Sequence, residues 1–246
     1  MHSTLTLMAA GSLRRALIPL QAAFTAQTGI PVSLVFGPAG LLRERIENGE
    51  RCSLFASANR QHPQTLCDTG RARGLHLFAR NTLMLTVRNT PQTTGKTWLE
   101  LLADTTLRLG TSTPQCDPSG DYTWQLFERI EQSHPGLGHA LKQRAMPLVG
   151  GRDSLRLPNG VIASRWLIDE GHADLFIGYA HYAAALANQA EIHCVTIPAP
   201  WNICCEYYLT LLDESDAAHS FCRFILGEEG QRCLRDAGFM SPGDEC

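Results

Sequence analysis

The stretch LTLMAAGSLRRALIPLQAAF, Leu5 to Phe24, decides the fold class. Leu5 to Ala9 alternates in the manner of a strand, and Gly11-Ser12 breaks it. Leu13, Ala16, Leu17, Leu20, Ala23 and Phe24 then recur at helical spacing until Gly29 ends the run. The same grammar repeats downstream. Pro31 to Phe36 reads as a strand, Gly37-Pro38-Ala39-Gly40 opens a helix carrying Leu41, Leu42 and Ile46, and Leu54-Phe55-Ala56 is a short buried strand. Alternation of this kind implies an α/β protein whose sheets are mostly parallel and covered by helices on both faces.

Further out, the pattern continues with a strand at Leu83 to Val87 and a break at Pro91 to Gly95. Leu107 to Gly110 is a strand ending in the polar loop Thr111 to Gly120, and a helix with Trp124, Phe127 and Ile130 follows. A helix from Val161 to Glu170 precedes a strand at Asp174 to Tyr179. Strands from Val195 and over Ile203 to Leu212 lead into helices at Ala217 to Leu226 and Glu229 to Ala237.

Composition narrows the function. The 246 residues carry a formal net charge of -3, which argues against a nucleic-acid partner. Hydrophobic residues at 44% and charged residues at 18% describe a globular chain that buries a core without a metal. Met1-His2-Ser3-Thr4 lead straight into the first strand with no secretory-signal pattern, which leaves a cytoplasmic chain and a processed, exported one both open. Nine cysteines, an odd number, leave at least one thiol unpaired in a monomer. No CxxC and no zinc-type Cys/His spacing occurs, so no metal is expected. Cys222 and Cys233 sit at apolar helical positions and read as small buried hydrophobes, while a disulfide among the others stays open.

Three places share one physical design. Ser12, Ala39 and Ser119 each stand where a strand passes into a helix. A serine there is a favoured N-cap, and first-turn amides together with the helix dipole form a ready anion site. Nucleotide and hydrolase signatures are absent: there is no Gly-Lys-Ser/Thr ending, no GxGxxG after a strand, no GxSxG and no HExxH. His134 and His139 read as loop histidines, His181 and His193 have no partner at ligand spacing, and Asp117 and Asp121 read as helix-start carboxylates answering the dipole. Arg43 and Arg45 read as a solvated helix face. Cys116 beside Asp117 is the best candidate nucleophile, yet no base is paired with it.

Whole segments carry a resemblance. Ala9 to Leu13, Phe36 to Ile46 (FGPAGLLRERI), Leu54 to Asn59 (LFASAN), Asp117 to Tyr122 (DPSGDY) and Gly171 to Tyr179 (GHADLFIGY) run in the same order as in the periplasmic molybdate-binding proteins of ABC importers, which the chain resembles from about residue 5 to residue 240. The resemblance implies a type II periplasmic binding fold. Two α/β lobes would be joined by two crossing strands, with lobe 1 from 1–82 and 197–246, lobe 2 from 83–196, and a ligand cleft between them. It implies Ser12 as a hydroxyl and amide donor, Ala39 as an amide donor lacking the family's serine hydroxyl, and Ser119 as a third contact whose hydroxyl replaces it. It further implies Val161 as an amide donor 18 positions before Tyr179, the spacing found in that family. Cys52-Ser53 stands where that family has Ala-Asp.

The expected function is therefore a non-catalytic, monomeric, periplasmic binding protein. It would take a molybdate- or tungstate-like oxyanion, hold no other cofactor, and deliver the anion to a membrane permease. The alternatives are another anion (sulfate, a phosphonate or a small carboxylate), a cytoplasmic ligand-sensing domain, and a transferase on the same fold.

Overall fold

The computed structural model describes residues 4–246. The chain runs through strand β1 (Leu5–Ala10), a 3-10 turn (Gly11–Leu13), helix α1 (Arg14–Thr28), β2 (Val32–Gly37), α2 (Ala39–Glu47), β3 (Leu54–Ser57), α3 (Gln61–Asp68) and β4 (Arg73–Asn81). It continues with β5 (Leu83–Arg88), α4 (Trp98–Ala103), β6 (Leu109–Ser112), α5 (Pro118–Ser133), α6 (Leu137–Arg144), β7 (Met146–Val149), α7 (Ala163–Asp169) and β8 (Leu175–Tyr179). A second 3-10 turn (Ala180–Tyr182), α8 (Ala183–Leu186), β9 (Ile192–Thr196), β10 (Cys205–Leu211), α9 (Asp216–Leu226) and α10 (Glu228–Asp236) complete it.

These elements form two compact units. One extends to Asn81 and resumes over Cys205–Glu245; the other is Thr82–Cys204, with Cys246. Each contains one five-stranded sheet, β2-β1-β3-β10-β4 in the first and β7-β6-β8-β5-β9 in the second. Both sheets are mixed, with four of the five strands running one way and the fifth, β10 or β5, against them. β1 pairs parallel with β2 and β3, but β10 is antiparallel to both β3 and β4. In the second unit β6 pairs parallel with β7 and β8, whereas β5 is antiparallel to β8 and β9. The architecture is α/β with mixed sheets.

The second passage of chain between the units falls at 204/205 rather than near 197. Residues before it are held in the second unit by Asn202, which is buried. Its side chain donates to the carbonyls of Leu83 (2.8 Å) and Ile197 (3.1 Å) and accepts from the Leu83 amide (2.9 Å). The Trp201 ring adds contacts to Trp98 and His134, with centroids 5.7 and 5.4 Å away.

Helix α1 shows how the first unit closes. Ala16, Leu17, Leu20 and Phe24 form its buried stripe, and Gly29 ends it in the left-handed region at φ 70°. Phe24 packs on Phe221 and Phe224 of α9, at centroid distances of 4.7 and 5.4 Å, so the chain's first and penultimate helices share one core. In the second unit, Val149, Leu167 and Phe176 form one buried cluster, and Met84, Ile168, Leu186 and Ile192 another.

Candidate functional site

Ser12 and Ala39 lie at the carboxyl ends of neighbouring parallel strands, since the β1–β2 register aligns Ala10 with Gly37. That edge of an open parallel sheet is where ligands usually bind. Ala39 is the first residue of α2, fully buried, with Pro38 in the cap position. Neither α2 nor the 3-10 turn at Gly11 has a side chain capping its start. Two sets of uncapped amides thus open side by side.

Ser12 is not the N-cap that its position suggested. It lies inside the 3-10 turn, and its hydroxyl pairs with the Tyr207 hydroxyl at 3.0 Å. Tyr207 went unnoticed in the sequence, although the buried alternation of Cys205, Tyr207, Leu209 and Leu211 turns it inward, where a phenol needs a polar partner. Beside these turns, Ser57 donates to Asn59 Oδ1 (3.1 Å), which also accepts the His62 amide (3.2 Å) and so orders the entry to α3.

In the second unit, Ser119 is the second residue of α5, and the cap is Asp117, whose carboxylate accepts the Ser119 amide at 3.1 Å. The Gly120 amide turns back to the Asp117 carbonyl at 2.9 Å. This start is therefore internally satisfied, unlike that of α2, and Ser119 retains its hydroxyl rather than its amide for another partner. Burial pushes the Asp117 carboxyl up to about 6, against the hydrogen bonds from Ser119 and Ser112 and with Asp121 adding to the rise. Burial also raises Asp121, which accepts the Gln115 amide at 2.8 Å. Both carboxylates thus accept backbone amides around the start of α5, and the raised Asp117 is a feature the sequence did not reveal.

Tyr179 ends β8, the parallel neighbour of β6, and its ring is buried 6.0 Å from that of His181. Val161 lies two residues before α7 rather than inside a helix, and is 40% exposed. Helix α7 leads into β8, so Val161, Ser119 and Tyr179 share the carboxyl edge of the second unit's parallel strands.

Other features lie elsewhere. An open pocket of about 680 Å³, with Arg51, Cys52, Arg71, Asp213 and Glu214 on its walls, sits at the opposite, amino-terminal edge of β1. Arg45 pairs with Glu50 at 2.6 Å and Arg43 with Glu47 at 3.7 Å, as a solvated face would. His139 lies in α6 rather than in a loop, and His134 follows α5. Cys222 is buried and Cys233 half-buried, and Cys204 is joined to Cys246 in a disulfide. Burial raises the thiols of Cys52 (to about 12), Cys194, Cys205, Cys222 and Cys233, which disfavours the nucleophilic thiolate.

Comparison with known proteins fits this geometry. The family model described as bacterial extracellular solute-binding protein matches residues 5–240. An uncharacterized protein of Pasteurella multocida (strain Pm70) is 42% identical over 239 residues, covering 95% of this chain and 97% of the relative. Among solved structures, the periplasmic molybdate-binding protein of Azotobacter vinelandii superposes with a TM-score of 0.77 at 21% identity, over 97% of this chain and 99% of that one. The sulfate-binding protein SubI of Mycobacterium tuberculosis gives 0.76 at 18% identity, over 98% and 88%. These two likenesses carry the fold.

Proposed function

This chain belongs to the bacterial extracellular solute-binding proteins, and from that premise we propose that it captures a small tetrahedral oxyanion, molybdate or tungstate foremost, for the permease of an ABC importer. In the first unit the proposed contacts are Ser12 and the Ala39 amide; in the second they are Ser119, Val161 and Tyr179. The observation that carries this reading is the pair of uncapped helical starts aligned through Ala10 and Gly37, with the Ser12 hydroxyl beside them.

The chemistry suits a dianion. Amides at helical starts and hydroxyls donate without bringing a full counter-charge, and each hydrogen bond to a charged group contributes about 1.5–3 kcal/mol. Several together offset the desolvation of a buried anion. A ligand with different contacts in open and closed forms would then select the form the permease receives. The chain works by binding rather than by catalysis, as a monomer in the periplasm. The Cys204–Cys246 disulfide supports an oxidising compartment.

Asp117 favours a second reading. A buried carboxylate near Ser119 accepts hydrogen bonds, and so suits an anion that keeps a proton, such as a phosphonate. Calorimetry with molybdate, tungstate, sulfate, phosphate and methylphosphonate separates the two. Molybdate or tungstate is expected to bind at sub-micromolar concentration, and Ser12→Asp to abolish the heat by placing like charge in the site. Silence at millimolar molybdate alongside tight methylphosphonate binding transfers the assignment to the second reading. Full molybdate affinity in Ser12→Asp removes this pocket altogether.

A further inference from the structure

Arg14 stands where stability alone would not put it. It is the first residue of α1, no side chain caps that helix, and no acidic residue lies in its first turn. A cation at the start of a helix opposes the macrodipole instead of answering it, and Arg15 repeats the charge at the next position.

Arg14 is also uncompensated. The arginines of α2 have carboxylate partners, Glu47 for Arg43 and Glu50 for Arg45. Arg14 makes no hydrogen bond and no ion pair among the described residues; its guanidinium lies over the Phe36 ring, 4.5 Å from the centroid. An aromatic face attracts a cation through its quadrupole but carries no net charge. Phe36 therefore anchors the guanidinium without cancelling it, and the full positive charge remains to act on a third group.

That charge belongs to the edge already described. Arg14 follows Ser12 by two residues, Phe36 precedes Ala39 by three, and the β1–β2 register sets Phe36 opposite Ala9. The contact thus ties together the two turns that open with uncapped amides. A chain whose formal net charge is -3 keeps an unneutralised cation here.

We propose that Arg14 is a specificity-determining residue of the anion site, whose unpaired charge favours dianions over monoanions of the same shape. The inference rests on the anion being held at the Ser12–Ala39 edge. A fixed unit charge adds an energy proportional to the charge of the ligand, so a doubly charged tetrahedron gains twice what a singly charged one gains from it. Because Arg14 is only partly buried, dissolved salt screens part of that gain.

The test compares molybdate with perrhenate, a tetrahedral monoanion of similar size, by calorimetry at low and high ionic strength. The proteins are wild type, Arg14→Gln, Arg14→Lys and, as a control for net charge, Arg71→Gln at the opposite edge of the sheet. At low salt Arg14→Gln is expected to weaken molybdate about three- to tenfold, and perrhenate by about the square root of that factor. The loss is expected to shrink as salt is added, Arg14→Lys to keep most of the affinity, and Arg71→Gln to change neither anion. Equal losses for both anions, a loss indifferent to salt, or a lysine variant no better than the glutamine one would make Arg14 a packing residue and overturn the inference. Unchanged binding in Arg14→Gln overturns it as well. A wild type that binds neither anion fails the molybdate reading instead, and sulfate against perchlorate, again a dianion and a monoanion, then decides the role of Arg14. Silence toward all four refutes both.

Discussion

His62 shows what one residue contributes to pH response. It is 3% exposed at the start of α3, and neither ring nitrogen is hydrogen-bonded. Burial, with Arg43 adding to it and Glu44 opposing, lowers it to about 4. The folded protein holds the imidazole neutral, whereas the unfolded chain takes a proton near pH 6.5. Between these values the unfolded state binds more protons, so stability is full above pH 6.5 and declines as pH falls toward 4. Over that window the loss amounts to about 3 kcal/mol. Urea midpoints measured from pH 7.5 to 4.5 are expected to fall for wild type and to fall less for His62→Phe. Parallel slopes in the two proteins would assign the acid sensitivity to other groups.

At the scale of elements, the packing of α5 depends on Gly120. A Cβ there would lie 2.5 Å from the Pro114 nitrogen and the Thr113 carbonyl carbon, so the first helical turn seats directly on the loop after β6. Gly120→Ala is expected to cost about 1–3 kcal/mol as an overpacked contact, and to weaken anion binding by shifting Ser119. Gly11 opens the equivalent turn in the first unit with no atom within 4 Å of an added Cβ, and Gly11→Ala is expected to melt like wild type. Equal melting temperatures for the two variants would refute this assignment. Periodicity made the long elements legible: α1, α2, α5 and β3 stand where apolar spacing put them, to within a few residues. It failed for α3, β4, α6 and β7. Helix α6 buries only Gly138 and Leu141, β4 has no alternating burial, and β7 is a four-residue edge strand containing Pro147, where the missing amide costs least. The site was legible only in part for a related reason. Turn glycines marked Ser12 and Ala39 locally, whereas the Tyr207 partnership spans 195 residues and leaves no local trace.

At the scale of the whole molecule, the connection from β10 onward is the vulnerable part, and the Cys204–Cys246 disulfide governs it. The cysteine count announced an unpaired thiol but could not choose a pairing. The bond closes a 42-residue separation that contains all of β10, α9 and α10. Strand β10 lies inside the first unit's sheet, between β3 and β4, so a chain that frays from its end would uncover a central strand rather than an edge. Closing a loop of that length removes unfolded-state entropy worth about 4 kcal/mol in the chain-entropy account. Cys246→Ser is expected to melt several degrees below the oxidised wild type, and reductant to bring the wild type down to the same temperature while leaving the variant unchanged. Because the other thiols remain in both proteins, reductant acting equally on the two would trace the effect to them. An oxidised wild type that melts with Cys246→Ser would mean that the returning segment is held by its packing alone. Phe221 against Phe24 and the antiparallel pairing of β10 with β3 and β4 would then account for its stability.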